Sequence, residues 1–235
     1  LSSRREYTKI NPFVVLLGIG NHQITSSWTE ELRLISIGFE TESATTLGIT
    51  RSNITFFGAG KDATTILGGL RIENLENITF KNMTVTNTIE NGHGIRMKNA
   101  TVELFDVAVK GCGGVALTIQ GSSSETTVVA TRCQFANSRH GVVVKGSSTS
   151  ATFKNCVFND NVWQGLIGSD KSTTHLHGEA TAIRLNGDNG ILVHELGKVL
   201  IHLPSHHNTV YNNKGEDRRT FGGSGSGNII TNVED

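Results

Sequence analysis

Apolar and polar positions alternate along this chain in short runs, and the runs restart at nearly fixed intervals. In residues 94–98, Ile95 and Met97 share a face; in 102–105, Val102 and Leu104 do; after Asp106, Val107 and Val109 do. Alternation with a period of two predicts strands, and the breaks predict corners of one or two residues. Asn91 to Gly111 therefore reads as one coil of three short strands.

The same unit recurs on both sides. Asn53-Ile-Thr-Phe, Asn77-Ile-Thr-Phe, Thr101-Val-Glu-Leu, Thr127-Val-Val-Ala and Ser150-Ala-Thr-Phe read as equivalent strands, ending at corners Gly58, Asn82, Asp106, Arg132 and Asn155. Gly, Asn and Asp tolerate the left-handed backbone that such corners need, so Arg132 is expected to mark a locally different turn. A second series opens on glycine at Gly69, Gly94, Gly114, Gly141, Gly165 and Gly190, spaced 25, 20, 27, 24 and 25. A period in the twenties with three strands per unit predicts an all-β solenoid whose equivalent strands stack in parallel. The expected inward ladders are Ile78/Val102/Val128/Ala151, Phe80/Leu104/Ala130/Phe153 and Val85/Val109/Phe135/Phe158, with Cys133 and Cys156 stacked inward as free thiols.

The expectation is one domain over 1–235. Residues 1–50 form an N-terminal cap and first coils, with a polar arm to residue 12 and a first strand from Phe13. Residues 51–203 are regular coils. Residues 204–235 are a C-terminal loop and a capping edge strand from Asn228, with Gly222 to Gly227 either a native loop or a linker. Residues 28–34 have a helical look but are too short to assign, and 34–37 read as a strand.

The glycine-led strands and the Asn or Asp second turn resemble the parallel β-helix repeat of the pectate-lyase-like superfamily, over roughly residues 50–200. The resemblance implies a single right-handed parallel β-helix of about eight coils. It implies no single activity, because that superfamily hosts lyases, hydrolases, epimerases and non-enzymatic binders. It also directs attention to the first sheet and the loop before it, where reactive groups of β-helix polysaccharide enzymes tend to lie.

Composition narrows the partners. The 235 residues carry 21 basic and 21 acidic side chains, so the basic excess of a nucleic-acid binder is missing. No apolar run approaches the ~20 residues of a membrane helix. Three cysteines make no disulfide framework. Chain start Leu1 implies a processed chain or an expressed fragment. The sequons at Asn53, Asn77, Asn82 and Asn99 read as corner residues before they read as glycosylation sites. The compartment stays open, with an extracellular or cell-surface setting favoured.

The densest polar cluster of the first-sheet rows is Arg139, His140 and Lys145, with Trp163 and Gln164 one coil on and His93, Arg96 and Lys98 two coils back. Asp188 occupies the same row as Arg139 and Trp163. Arg and Lys bind carboxylates and Trp stacks on sugar rings. This pattern points to an acidic polysaccharide, with His140 as the base taking the proton beside a uronate carboxylate and Arg139 and Lys145 stabilising the charge that develops. His93, Arg96, Lys98, Trp163, Gln164 and Asp188 are the expected binding residues. The plain alternative is a row of ordinary outward polar side chains on a non-catalytic solenoid, used as a structural or interaction module.

Other chemistries are weaker. Glycoside hydrolysis needs a carboxylate pair, and these rows offer only Glu73 and Asp188, five coils apart. The likeness to polygalacturonase strand starts stops at Asn91-Gly-His-Gly, where His93 stands in place of Asp. No acidic cluster suggests calcium, and no cofactor is expected. Cys112, in the loop before the first sheet, is a thiol within one coil of His140. Six of nine histidines fall between 175 and 207. His175 and His177 flank inward Leu176, so both are expected outside, with His202 near them; imidazole clusters bind zinc, nickel or copper, although an exposed polar ladder is the commoner outcome.

Overall fold

The computed structural model describes residues 6–25, 39–43, 45–122, 124–202, 209–222 and 227–234. The segments read as helical (28–34) and as a strand (34–37) lie outside the described residues, as do His206 and His207. Among the described residues there are strands and no helices.

The strands form two sheets wound into a β-helix. The smaller holds, in spatial order, Arg218–Thr220, Ile191–Val193, Leu166–Ser169, His140–Lys145, Val115–Gln120, Ile95–Lys98, Gly69–Glu73 and Thr46–Ile49, all parallel, with Phe39–Ser43 antiparallel beyond the last. Among the described residues, eight parallel rungs enclose seven turns. The larger sheet takes the other two strands of each coil. Gly58, expected as a corner of the same kind, ends its strand without a left-handed φ and a loop over 59–63 follows it, whereas the next four coils turn at a single left-handed residue. Those corners are Asn82, Asp106, Arg132 and Asn155, with φ of 55°, 52°, 54° and 54°.

Arg132 thus makes the same turn as its neighbours, contrary to the expectation of a different one. Its guanidinium grips the corner residue of the preceding coil: Nε donates to Asp106 Oδ1 at 2.8 Å and Nη2 to Oδ2 at 2.6 Å. It also lies 4.0 Å from the centroid of the Phe105 ring. These contacts offset a backbone conformation that ordinary side chains disfavour. The four sequon asparagines all have left-handed φ. Asn77 Nδ2 donates to Asn53 Oδ1 at 2.9 Å, and Asn99 Nδ2 to Asn74 Oδ1 at 3.2 Å; they are corner residues in fact.

The three expected inward ladders pair in register and are fully or almost fully buried. Stacking like on like at ~4.8 Å places Phe56 on Phe80, with ring centroids 5.0 Å apart. Phe135, Phe153 and Phe158 cluster at 5.1–5.6 Å. Cys133 and Cys156 are buried free thiols, the Cys133 N–H donating to Cys156 Sγ at 3.4 Å.

One register differs from the sequence reading. Leu117, not Val115, pairs with both Ile95 and Val142. The rung therefore starts two residues later than Gly114 suggested, and the uneven spacings of 20 and 27 become 22 and 25. Gly113 and Gly114 serve the loop instead: a Cβ at either would run into the backbone of Ile89 or Asn91. Thr118 and Gln120 consequently take the outward places beside Arg96 and Lys98.

The ends are paired as well. Phe13–Leu17 lies parallel to Ile54–Gly58, and the arm before it returns through Asn53 Nδ2, which donates to the Tyr7 carbonyl at 2.9 Å. Ile229–Val233 is the terminal strand of the larger sheet, beside Lys198–His202. Arg218–Thr220, in a stretch expected to be loop, forms the last rung of the smaller sheet, because an edge rung needs only backbone pairing.

Candidate functional site: a cleft before the first sheet

The loops that precede successive rungs of the smaller sheet stack on one another. The Trp163 N–H donates to the Arg139 carbonyl at 2.9 Å and the Asp188 N–H to the Trp163 carbonyl at 3.2 Å. One position on, the Gly141 N–H donates to the Gln164 carbonyl at 3.0 Å and the Gly165 N–H to that of Asn189 at 3.2 Å. Equivalent residues of consecutive coils thus form two rows, Arg139/Trp163/Asp188 and His140/Gln164/Asn189.

A ladder of buried polar side chains holds these loops from behind. The Cys112 N–H donates to Ser138 Oγ at 3.0 Å and the Ser138 N–H to Asn161 Oδ1 at 3.1 Å. Asn161 Nδ2 donates to Asn186 Oδ1 at 2.9 Å, and Asn186 Nδ2 to Asn213 Oδ1 at 2.8 Å. Each asparagine also ties to the coil before it, through the carbonyls of Phe135, Phe158 and Ile183. Buried amides satisfied in this way fix the loop backbone. The sequence reading missed this ladder. Its signal was an asparagine four residues ahead of Gly165 and of Gly190.

The two rows open into a cleft of about 450 Å³ lined by Asn91, His93, Gly114, Val115, Arg139, His140, Trp163, Gln164 and Asp188. Six expected site residues therefore meet in one place: His93, Arg139, His140, Trp163, Gln164 and Asp188. Asn91 was not foreseen; its Oδ1 accepts from Arg139 Nη1 at 2.6 Å. Trp163 is 47% exposed and presents its ring to solvent. At the far end, Asp188 Oδ2 accepts from Gln164 Nε2 at 2.5 Å and Oδ1 from Asn189 Nδ2 at 3.0 Å.

Lys145, Arg96 and Lys98 lie outside that lining, on the outer face of the smaller sheet. His93 joins the two regions. Its Nδ1 is 3.3 Å from Thr118 Oγ1 on the sheet, and it also lines an adjoining hollow of about 190 Å³ with Arg71 and Arg96. Arg71 pairs with Glu73 at 3.1 Å. Thr118 pairs with Arg96 and Val143, and Lys98, Gln120 and Lys145 form the next outward row. A cationic track thus leads from Arg139 past His93 to Arg96, Lys98 and Lys145.

Both imidazoles are held toward the neutral form. Burial lowers the pKa of His93, and the charges of Arg96, Lys145 and His140 lower it further. Burial also lowers that of His140; the side-chain hydrogen bond with Gln164 opposes this, the Arg139 charge adds to it, and the Asp188 charge opposes it. His140 Nδ1 is buried without a hydrogen-bond partner. Cys112 is buried, absent from the cleft lining, and its thiol pKa is raised chiefly by that burial, which argues against a nucleophile.

The winding of parallel rungs and the cleft ahead of the first sheet define a parallel β-helix protein. The chain belongs to the family described as right handed beta helix region, whose model matches residues 35–214. A search of curated proteins finds no match. Among solved structures, the A-module of a mannuronan C-5 epimerase from Azotobacter vinelandii is similar, with a TM-score of 0.56 and 15% identity over 90% of this chain and 66% of that one. A pectin methylesterase from Erwinia chrysanthemi has a TM-score of 0.55 and 11% identity over 98% of this chain and 86% of its own. A Geobacillus virus E2 protein has a TM-score of 0.50 and 14% identity over 88% and 52%. The chain spans about two thirds of the epimerase module and about half of the viral protein. At these identities the likeness establishes the fold.

Proposed function

We propose that this β-helix is a carbohydrate-associated protein that binds an acidic polysaccharide in the cleft and along the cationic track, and acts on it by lyase- or epimerase-like chemistry. The observation that carries this reading is the meeting of Arg139, His93, His140 and the half-exposed Trp163 in one groove. Arg139 suits a uronate carboxylate, the Trp163 ring suits a sugar face, and Asp188 at the opposite end suits hydroxyl donors. The described polysaccharide enzymes of similar fold, named for mannuronan and pectin, support the same substrate class.

In the chemical step, a neutral imidazole accepts the proton beside the carboxylate. His140 has that role, Arg139 neutralises the carboxylate, and Lys145 and Arg96 add positive potential from the sheet face. Elimination of the neighbouring glycosidic oxygen, which takes up a proton from water, gives a lyase; delivery of a proton from water to the other face, with His140 keeping the one it took, gives an epimerase. The test is calorimetric titration with oligouronates, beside an assay for unsaturated uronate and for epimerised residues. Binding weakened about 10-fold or more and turnover reduced with it in Arg139→Ala, with turnover alone lost in His140→Gln, support the full reading. Binding without turnover leaves a lectin-like module. No binding at all returns the solenoid to a structural or interaction role.

A further inference from the structure

The larger sheet carries a second cluster that the cleft does not use. Thr173–His177 and Lys198–His202 are adjacent parallel strands, with Leu176 opposite Ile201. Leu176 and Ile201 are buried, so His175 and His177 on one strand and His202 on the other share the outer face. The rings of His177 and His202 lie 3.9 Å apart, centroid to centroid, and those of His175 and His202 5.2 Å apart. His175 Nδ1 is 2.9 Å from His202 Nε2. One nitrogen from each of the three lies within 4.8 Å of the others, and all three residues are half-buried.

We propose that His175, His177 and His202 form a site for a zinc-class divalent transition metal. Tetrahedral zinc with Zn–N bonds of ~2.0–2.1 Å separates its nitrogens by roughly 3.3 Å; the rings stack at 14° to 29° to one another, so side-chain rotation out of the stack brings the trio onto one ion. The backbone positions are set by a paired sheet and need no loop to order. A change of tautomer turns the His175–His202 contact into two lone pairs facing one point, so no net proton loss is required. Three imidazoles leave a fourth position for water, and imidazole donors select zinc, copper or nickel over calcium or magnesium. Lys154 is the register partner of His177 on the preceding coil, and a positive charge there opposes cation binding.

The experiment uses the full chain without a polyhistidine tag. It is titrated with Zn²⁺, and with Co²⁺ as an optical reporter, with Ca²⁺ and Mg²⁺ as controls. Expected are one saturable zinc site, visible cobalt bands of a tetrahedral centre, and a rise in unfolding temperature with zinc. His177→Ala or His202→Ala weakens binding by roughly 10-fold or more and removes the thermal shift. His206→Ala/His207→Ala leaves both in place, and Lys154→Ala tightens binding. The proposal falls if zinc does not bind saturably, if the His177 and His202 variants bind like the wild type, or if the His206/His207 variant abolishes binding. The outer-face positions make the alanine variants tolerable, and the metal-free melting curve checks that they fold.

Discussion

Arg139 Nη1 donates to Asn91 Oδ1 at 2.6 Å, a bond that spans 48 positions of sequence and two rungs of the smaller sheet. It fixes a guanidinium in the lining of the cleft. Arg139→Ala is expected to weaken oligouronate binding by about 10-fold or more, in line with the ~1.5–3 kcal/mol of a charged hydrogen bond. Asn91→Ala, which loosens the arginine without removing it, is expected to cost less. Equal affinities for wild type and Arg139→Ala in calorimetry would remove the arginine from the site.

Trp163 tests the sugar-stacking surface separately from charge. Its ring is about half exposed and its loop is held by the asparagine ladder, so Trp163→Ala should leave the melting temperature nearly unchanged. Oligosaccharide affinity should fall by roughly 3- to 10-fold, as expected for ~0.5–1.5 kcal/mol of aromatic stacking. A stability loss as large as the affinity loss would show that the ring packs rather than binds.

His93 and His140 make stability depend on pH in one direction. Both folded-state pKa values lie below the ordinary imidazole value of about 6.5, chiefly through burial. Above that value the rings are neutral in the folded and unfolded chain, and their contribution to stability is fully present. As pH falls below it, the unfolded chain takes up protons that the folded chain resists, and stability declines. Urea midpoints at pH 7.5 and 5.5 should differ less in His93→Gln/His140→Gln than in the wild type. An undiminished difference would rule out these two rings as the cause.

Asn186 is the centre of the polar ladder. Its side chain accepts from the backbone and side chain of Asn161 and donates to Asn213 and the Phe158 carbonyl. Asn186→Ala strands buried partners on two coils and should destabilise the fold by about 2–4 kcal/mol. Denaturant unfolding measures the loss. A change under about 0.5 kcal/mol would mean that water replaces the amide.

Most of the winding was legible because a solenoid asks the same question of every coil. Ile78, Val102, Val128 and Ala151 answer it alike, so the ladder emerges from spacing alone. The reading slipped where glycine did another job: Gly114 imitates a strand start, yet serves the close packing of its loop against Asn91. It also misjudged Arg132, because a corner bond to Asp106 of another coil leaves no mark in local sequence. The cleft was legible as rows, since Arg139, Trp163 and Asp188 hold equivalent places before their glycines. Asn91 was not, because its partner belongs to a loop two rungs away. The separation of Lys98 and Lys145 from the cleft likewise depends on where each strand turns its side chains.

The buried amides behind the cleft have a direction and an end. Each asparagine donates its side-chain N–H to the oxygen of the next, from Asn161 to Asn186 to Asn213, and the last donates to the Asp217 carboxylate at 2.8 Å. A carboxylate only accepts, so the series has a terminator. An extra coil bearing the same asparagine can be inserted upstream and find both neighbours ready. One added after Asn213 would bring an amide oxygen, but the Asn213 N–H that should reach it is already committed to Asp217. The ladder therefore runs one way along the solenoid axis and closes on a side chain of its own last loop.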